Sequence, residues 1–189
     1  MKKAFLFLFL IQNLILLAQK PCEVDTDISD SLGTYKATKQ NIIFERSFAG
    51  NSTTIFFTLS NTNGILAIES QFLQRSNEFI KARCFDQNSK IFLQLNDGKI
   101  ITLFYSGNDT CGSYLNHENS ANNRVLSGNF IITKDVIEDL KLSPVTFMRV
   151  KFAGEMIDYP FKTELISELD QKKYEPEKYF ITQLQCIEH

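Results

Sequence analysis

The chain has 189 residues, a formal net charge of −2, 43% hydrophobic residues and four cysteines. That length suits one domain burying about 70% of its unfolded surface, so cross-links would support a core rather than replace one. The acidic balance and the lack of any Lys/Arg run argue against a nucleic-acid partner, which is held through clustered basic side chains.

Lys2 and Lys3 precede an apolar run from Ala4 to Ala18, interrupted only by Gln12 and Asn13. A positive n-region, a short apolar stretch and a small exit residue make a secretory signal. The run is shorter than the roughly 20 apolar residues of a membrane span. Residues 1–18 are therefore expected to leave after Ala18, and the loss of Lys2 and Lys3 takes the charge from −2 to −4. The mature chain, 19–189, is expected in the periplasm or outside the cell, with no membrane span. Cys22 follows Gln19, Lys20 and Pro21, which are not the small residues that precede a lipidated cysteine. It reads as a disulfide partner.

Residues 19–34 are polar and acidic (Glu23, Asp25, Asp27, Asp30) and read as a loop. A period of two then begins. Ile42 and Phe44 suggest a strand, and Ile55, Phe57 and Leu59 alternate with Thr54, Thr58 and Ser60 as a half-buried one. Asn61-Thr62-Asn63-Gly64 is a turn, and Ile65, Leu66 and Ile68 return from it. Phe79 to Cys84 reads as a further strand. The clearest hairpin is Ile91 to Tyr105, with Asp97-Gly98 at its turn. Its second face carries Phe92, Ile100 and Phe104, so both faces are expected to be covered in a two-layer structure.

Residues 106–123 are rich in Asn, Ser and Gly and read as an exposed loop. Phe130 to Ile132 is a short strand. Thr133 suits an N-cap for a helix near 134–141 whose apolar face is Val136, Ile137 and Leu140, with Asp135 in its first turn. Val145 to Phe152 and Met156 to Phe161 are strands either side of Gly154. Leu165, Ile166 and Leu169 fit a helical turn or two, and Pro176 opens a final helix with Tyr179, Phe180, Leu184 and Ile187 on one side. The expected architecture is mainly β, bordering α+β. It is a two-layer antiparallel sandwich or barrel-like sheet in a single domain over 19–189, with a helical segment at 163–188.

An even cysteine count in an exported chain reads as disulfides, with three connectivities open to four cysteines. Cys22 and Cys186 sit at the two ends of a domain, and chain ends often lie close together. Cys84 and Cys111 flank the best hairpin and could meet across its base. The pairs Cys22–Cys186 and Cys84–Cys111 are therefore favoured over metal ligation, for which no CxxC or His spacing exists.

The search for chemistry is mostly negative. The two histidines, His117 and His189, lie in the polar loop and at the last residue. Cys111-Gly112-Ser113 near His117 allows a Cys–His pair, but the disulfide reading removes the nucleophile. Asp25, Asp27 and Asp30 lack the glycine and the glutamate of a calcium loop, and Asp135, Glu138 and Asp139 suit the wet face of a helix. No phosphate-cradling loop occurs, so no catalytic residue, cofactor or metal is assigned. Asn51-Ser52-Thr53 and Asn108-Asp109-Thr110 match an N-linked glycosylation pattern, and Asp30-Ser31-Leu32 an O-linked one.

The layout resembles a group of small exported proteins of Bacteroidetes. The likeness rests on the cysteine just after the signal and the hairpin turn Leu95-Asn96-Asp97-Gly98-Lys99-Ile100-Ile101. It also rests on the stretch Ile132 to Leu140 running into Ser143-Pro144-Val145-Thr146 and Met148-Arg149-Val150, and on the closing Tyr179-Phe180 and Cys186. Thr163 to Lys173 is longer than that pattern. The resemblance implies a mostly β domain with short helices and carries no activity. The function expected is a non-enzymatic exported domain that binds a protein or glycan partner or supports the envelope. The alternative is a hydrolase of glycan or peptidoglycan working through two carboxylates.

Overall fold

The computed structural model describes residues 22–115 and 121–188. The signal, its cleavage point, His117 and His189 lie outside them. Among the described residues the strands are β1 (Val24–Asp30), β2 (Gly33–Thr38), β3 (Asn41–Phe48), β4 (Asn51–Thr62), β5 (Ile65–Ser76), β6 (Cys84–Phe85), β7 (Lys90–Leu95) and β8 (Ile100–Tyr105). They continue with β9 (Thr110–Cys111), β10 (Ser113–Leu115), β11 (Asn122–Ile131), β12 (Val145–Lys151), β13 (Met156–Pro160), β14 (Leu165–Ile166) and β15 (Lys173–Tyr174). The fold is mainly β, as the alternating sequence led us to expect.

The β4–β5 hairpin is the spine. Ile55, Phe57 and Leu59 on β4, and Leu66, Ile68 and Phe72 on β5, point inward and are buried. Asn63 and Gly64 take φ of +52° and +83° at the turn. Two consecutive residues at positive φ match the right-handed twist of the strands they join. The pairing then runs without a slip from Thr62↔Ile65 to Ser52↔Arg75.

Eleven strands form one antiparallel sheet, ordered β1-β2-β4-β5-β11-β8-β7-β12-β13, with β3 beside β4 and β10 beside β11. It curls so far that Phe44 on β3 and Tyr159 on β13, far apart in that order, bring their rings to 5.1 Å. No ladder joins β3 to β13, so the sheet does not close. Its two halves face each other across one core, as in a sandwich. That interior is filled by Phe57, Phe72, Phe85, Phe130 and Phe152 among others.

Each end of the rolled sheet is plugged and stapled. At one end the helix Ile137–Leu142 and the turns from Pro176 to Cys186, with Ile187 just after them, bury Leu140, Phe180, Leu184 and Ile187 in the core. Cys186 is bonded to Cys22, and Asn61 Nδ2 donates to the Ile187 carbonyl at 2.6 Å. At the other end Cys84 pairs with Cys111 as a strand neighbour and as a disulfide. This sets Phe85 against Phe130 and Phe152 at 5.2 and 5.3 Å. Both disulfides are those expected from the positions of the cysteines.

Several local expectations are corrected. Residues 24–30 are not loop but the edge strand β1, which tolerates charge because an edge is wet. Phe79 to Arg83 is not strand: Phe79 is 80% exposed. The Ile80 backbone is served by side chains instead of a ladder, its N–H by the Tyr114 hydroxyl at 2.9 Å and its carbonyl by Arg124 Nε at 3.1 Å. The polar stretch 106–123 contains β9, β10 and the start of β11. Thr133 stands at an N-cap position but makes no capping hydrogen bond.

The segment expected to be helical from 163 is a ribbon, β14 with β15, and helical turns begin only at Pro176. The reason is tertiary. Leu165 and Tyr174 pack on Ile42 and Phe56, the outer side of β3 and β4, and that contact outweighs local helical spacing.

Candidate functional site

The expectation that both faces of the β7–β8 hairpin are covered is overturned. Ile91, Leu93, Leu95, Ile101 and Leu103 fill the core, but Ile100 stays 64% exposed and Phe104 46% exposed. Because the sheet curls inward, this outer face is convex. The ribbon β14–β15 packs on Ile42 of β3, Phe56 of β4 and Leu73 of β5, while Ile100, Phe104 and Met156 on the strands beyond stay exposed.

Register places the outward residues in rows. One row reads Ile131, Phe104, Lys90, Lys151 and Met156, each opposite the next on the neighbouring strand. The second reads Thr102, Phe92, Arg149 and Asp158. The third reads Ile100, Gln94, Phe147 and Pro160. Five strands at a spacing of about 4.8 Å make the face roughly 20 Å wide.

Lys90 and Lys151 stand directly opposite each other. Like charges in that relation are destabilising. Among the described residues neither lysine has an ion-pair partner, while Arg149 grips Asp158 by two hydrogen bonds of 2.6 and 2.8 Å. The guanidinium beside Asp158 holds that carboxyl below its ordinary value. The Lys90 ammonium lies 5.2 Å from the centre of the Phe104 ring, and Arg149 lies 5.9 Å from that of Phe147. Two facing ammonium groups beside the exposed Phe104 ring form a cationic and apolar patch on this face.

The other grooves carry weaker chemistry. A cleft of about 510 Å³ lies between β3 and β13 and includes Glu45, Asp158 and Glu168. It is where two carboxylates could flank a substrate. Glu45 spends one oxygen on the Glu168 N–H at 3.1 Å, and its other oxygen is buried without a partner among the described residues. Asp158 is committed to Arg149. A glycosidase acid needs a raised pKa. The carboxyls that the structure shifts, Asp135, Asp158 and Asp170, all move down.

The residues singled out in the sequence have structural surroundings. Cys22, Cys84, Cys111 and Cys186 are bonded, and no free thiol remains among the described residues. The acidic residues of the first segment are strung along β1, where Asp27 meets Lys36 at 3.3 Å and Glu23 meets Lys39 at 3.4 Å. In the helical cluster, Glu138 pairs with Lys141 and Asp139 with Lys99. Asp30-Ser31-Leu32 forms the exposed β1–β2 turn.

Buried Arg124 carries no sign of catalysis. It donates to the Ile80 and Gly112 carbonyls and lies 3.9 Å from the Tyr114 ring centre, holding the loop before β6 against β10. Sequence reading missed Lys90, Arg149 and Lys151 because Lys90 lies on β7 and the other two on β12, far along the chain, and only the register Lys90↔Lys151 brings them together. No family model, curated protein or solved structure matches the chain.

Proposed function

We propose that the mature chain is an exported, non-enzymatic binding domain of the cell envelope. It docks its partner on the open face of β11, β8, β7, β12 and β13. The observation that carries this reading is the facing pair Lys90 and Lys151 flanked by exposed Phe104 and Met156, with exposed Ile100 on the same face. Two disulfides suit an oxidising compartment, and no helix among the described residues is long and apolar enough to cross a membrane. A scaffold plugged at both ends and filled with phenylalanine offers its surface rather than an interior for recognition.

The test is co-sedimentation of the purified mature protein with envelope fragments of the producing cell. Retention should fall sharply for the Lys90→Glu/Lys151→Glu double variant and stay unchanged for Lys172→Glu on the ribbon. Equal retention of both variants would remove this face from the function.

A further inference from the structure

We infer that the open face docks on an anionic lipid surface. This rests on reading that face as the docking surface, and it names the component of the envelope that the face meets.

Shape is the first argument. The face is the outside of a curled sheet, so its side chains splay outward and cannot clasp a linear ligand. A fluid lipid surface conforms to a convex patch.

Side-chain chemistry is the second argument. Ile100 is 64%, Met156 59% and Phe104 46% exposed; Phe104 and Met156 flank the lysine pair in its own row, and Ile100 adds an apolar tip two rows away. Such tips enter the boundary between headgroups and acyl chains, and binding grows with the apolar area buried and with attraction to anionic lipid. Lysine heads on flexible stems reach headgroup phosphates while their stems follow the apolar layer.

Charge is the third. The face carries Lys90, Lys151 and Arg149 against the single carboxylate Asp158, which Arg149 already holds. Facing ammonium groups with no ion-pair partner among the described residues are complementary to a dense array of negative charge. A second copy of this face would bring lysines onto lysines. A sugar chain would stack on aromatic rings and has little use for the aliphatic Ile100 and Met156.

The experiment uses the mature chain with its disulfides intact. Sedimentation is measured with phosphatidylcholine vesicles and with equimolar phosphatidylcholine and phosphatidylglycerol vesicles, at low and high salt. Binding should require phosphatidylglycerol and should weaken with salt. Both Lys90→Glu/Lys151→Glu and Ile100→Ser/Phe104→Ser should weaken it at least about tenfold. Thermal unfolding checks that each variant is folded. Equal binding to neutral vesicles, or none to either, overturns the lipid assignment. If vesicles fail while envelope fragments still retain the wild type and lose the lysine variant, the docking face stands and its partner is an acidic protein or glycan. If fragments also fail, both readings fall.

Discussion

Lys90 and Lys151 cost the fold something, and that cost can be measured. Changing Lys151 to Glu turns a repulsive cross-strand pair into an attractive one, so stability should rise by about 0.2–1 kcal/mol. Urea unfolding checks this, and a fall in stability would mean that the lysines serve packing. On the expected outcome the variant is steadier and binds less, a separation that a purely structural residue does not produce. Tyr159 offers a second test. Its hydroxyl is buried without a partner among the described residues, and its ring packs on those of Phe44 and Phe72. Tyr159→Phe should therefore raise stability by about 1 kcal/mol. Burial also pushes the Tyr159 phenol up to about 12. The unfolded phenol ionises near 10, so the unfolded state gains from deprotonation first. Stability linked to this group is whole below pH 10 and is lost as pH climbs toward 12. The Phe variant should lose less stability than the wild type over that window, as read from unfolding midpoints at both ends.

At the scale of elements, β11 shows why part of the sheet was hard to read. Its sequence, Asn122 to Ile131, holds three Asn, a Ser and a Gly, and only Phe130 and Ile131 looked like strand. The glycine has a packing role. A Cβ on Gly128 would lie 2.7 Å from Phe85 and 3.0 Å from Tyr105, so the strand is bare where the aromatic plug passes. Gly128→Ala should cost about 1–3 kcal/mol, checked by urea unfolding. A neutral result would mean that Phe85 can shift freely. Hairpins with local turns were legible: Asn63-Gly64 and Asp97-Gly98 announce β4–β5 and β7–β8, because positive φ is a local demand. The ribbon was not legible, because Leu165 and Leu169 share a helical spacing but only Leu165 finds a partner, on Ile42 and Phe56. A single tertiary contact divided that pattern.

For the whole molecule, the disulfides close two rings of different length. Cys22–Cys186 spans 164 residues and Cys84–Cys111 spans 27. On chain entropy the first is worth up to about 5 kcal/mol and the second about 3.5. The double variant Cys22→Ala/Cys186→Ala should unfold earlier in urea than Cys84→Ala/Cys111→Ala. The reverse order would show that seating Phe85 matters more than tying the chain ends. The alternation of Ile55, Phe57 and Leu59, the two glycine turns and the four cysteines determined a stapled β domain before any coordinates. These are local or compositional signals, and a period of two or an even cysteine count needs no knowledge of neighbours. Tertiary structure alone decided which face of the sheet is left open. Phe92, Ile100 and Phe104 look equally suited to a second layer or to bare surface. Only the curl of the sheet, the reach of the ribbon and the register that sets Lys90 against Lys151 distinguish the two, and those depend on contacts between residues far apart in the chain.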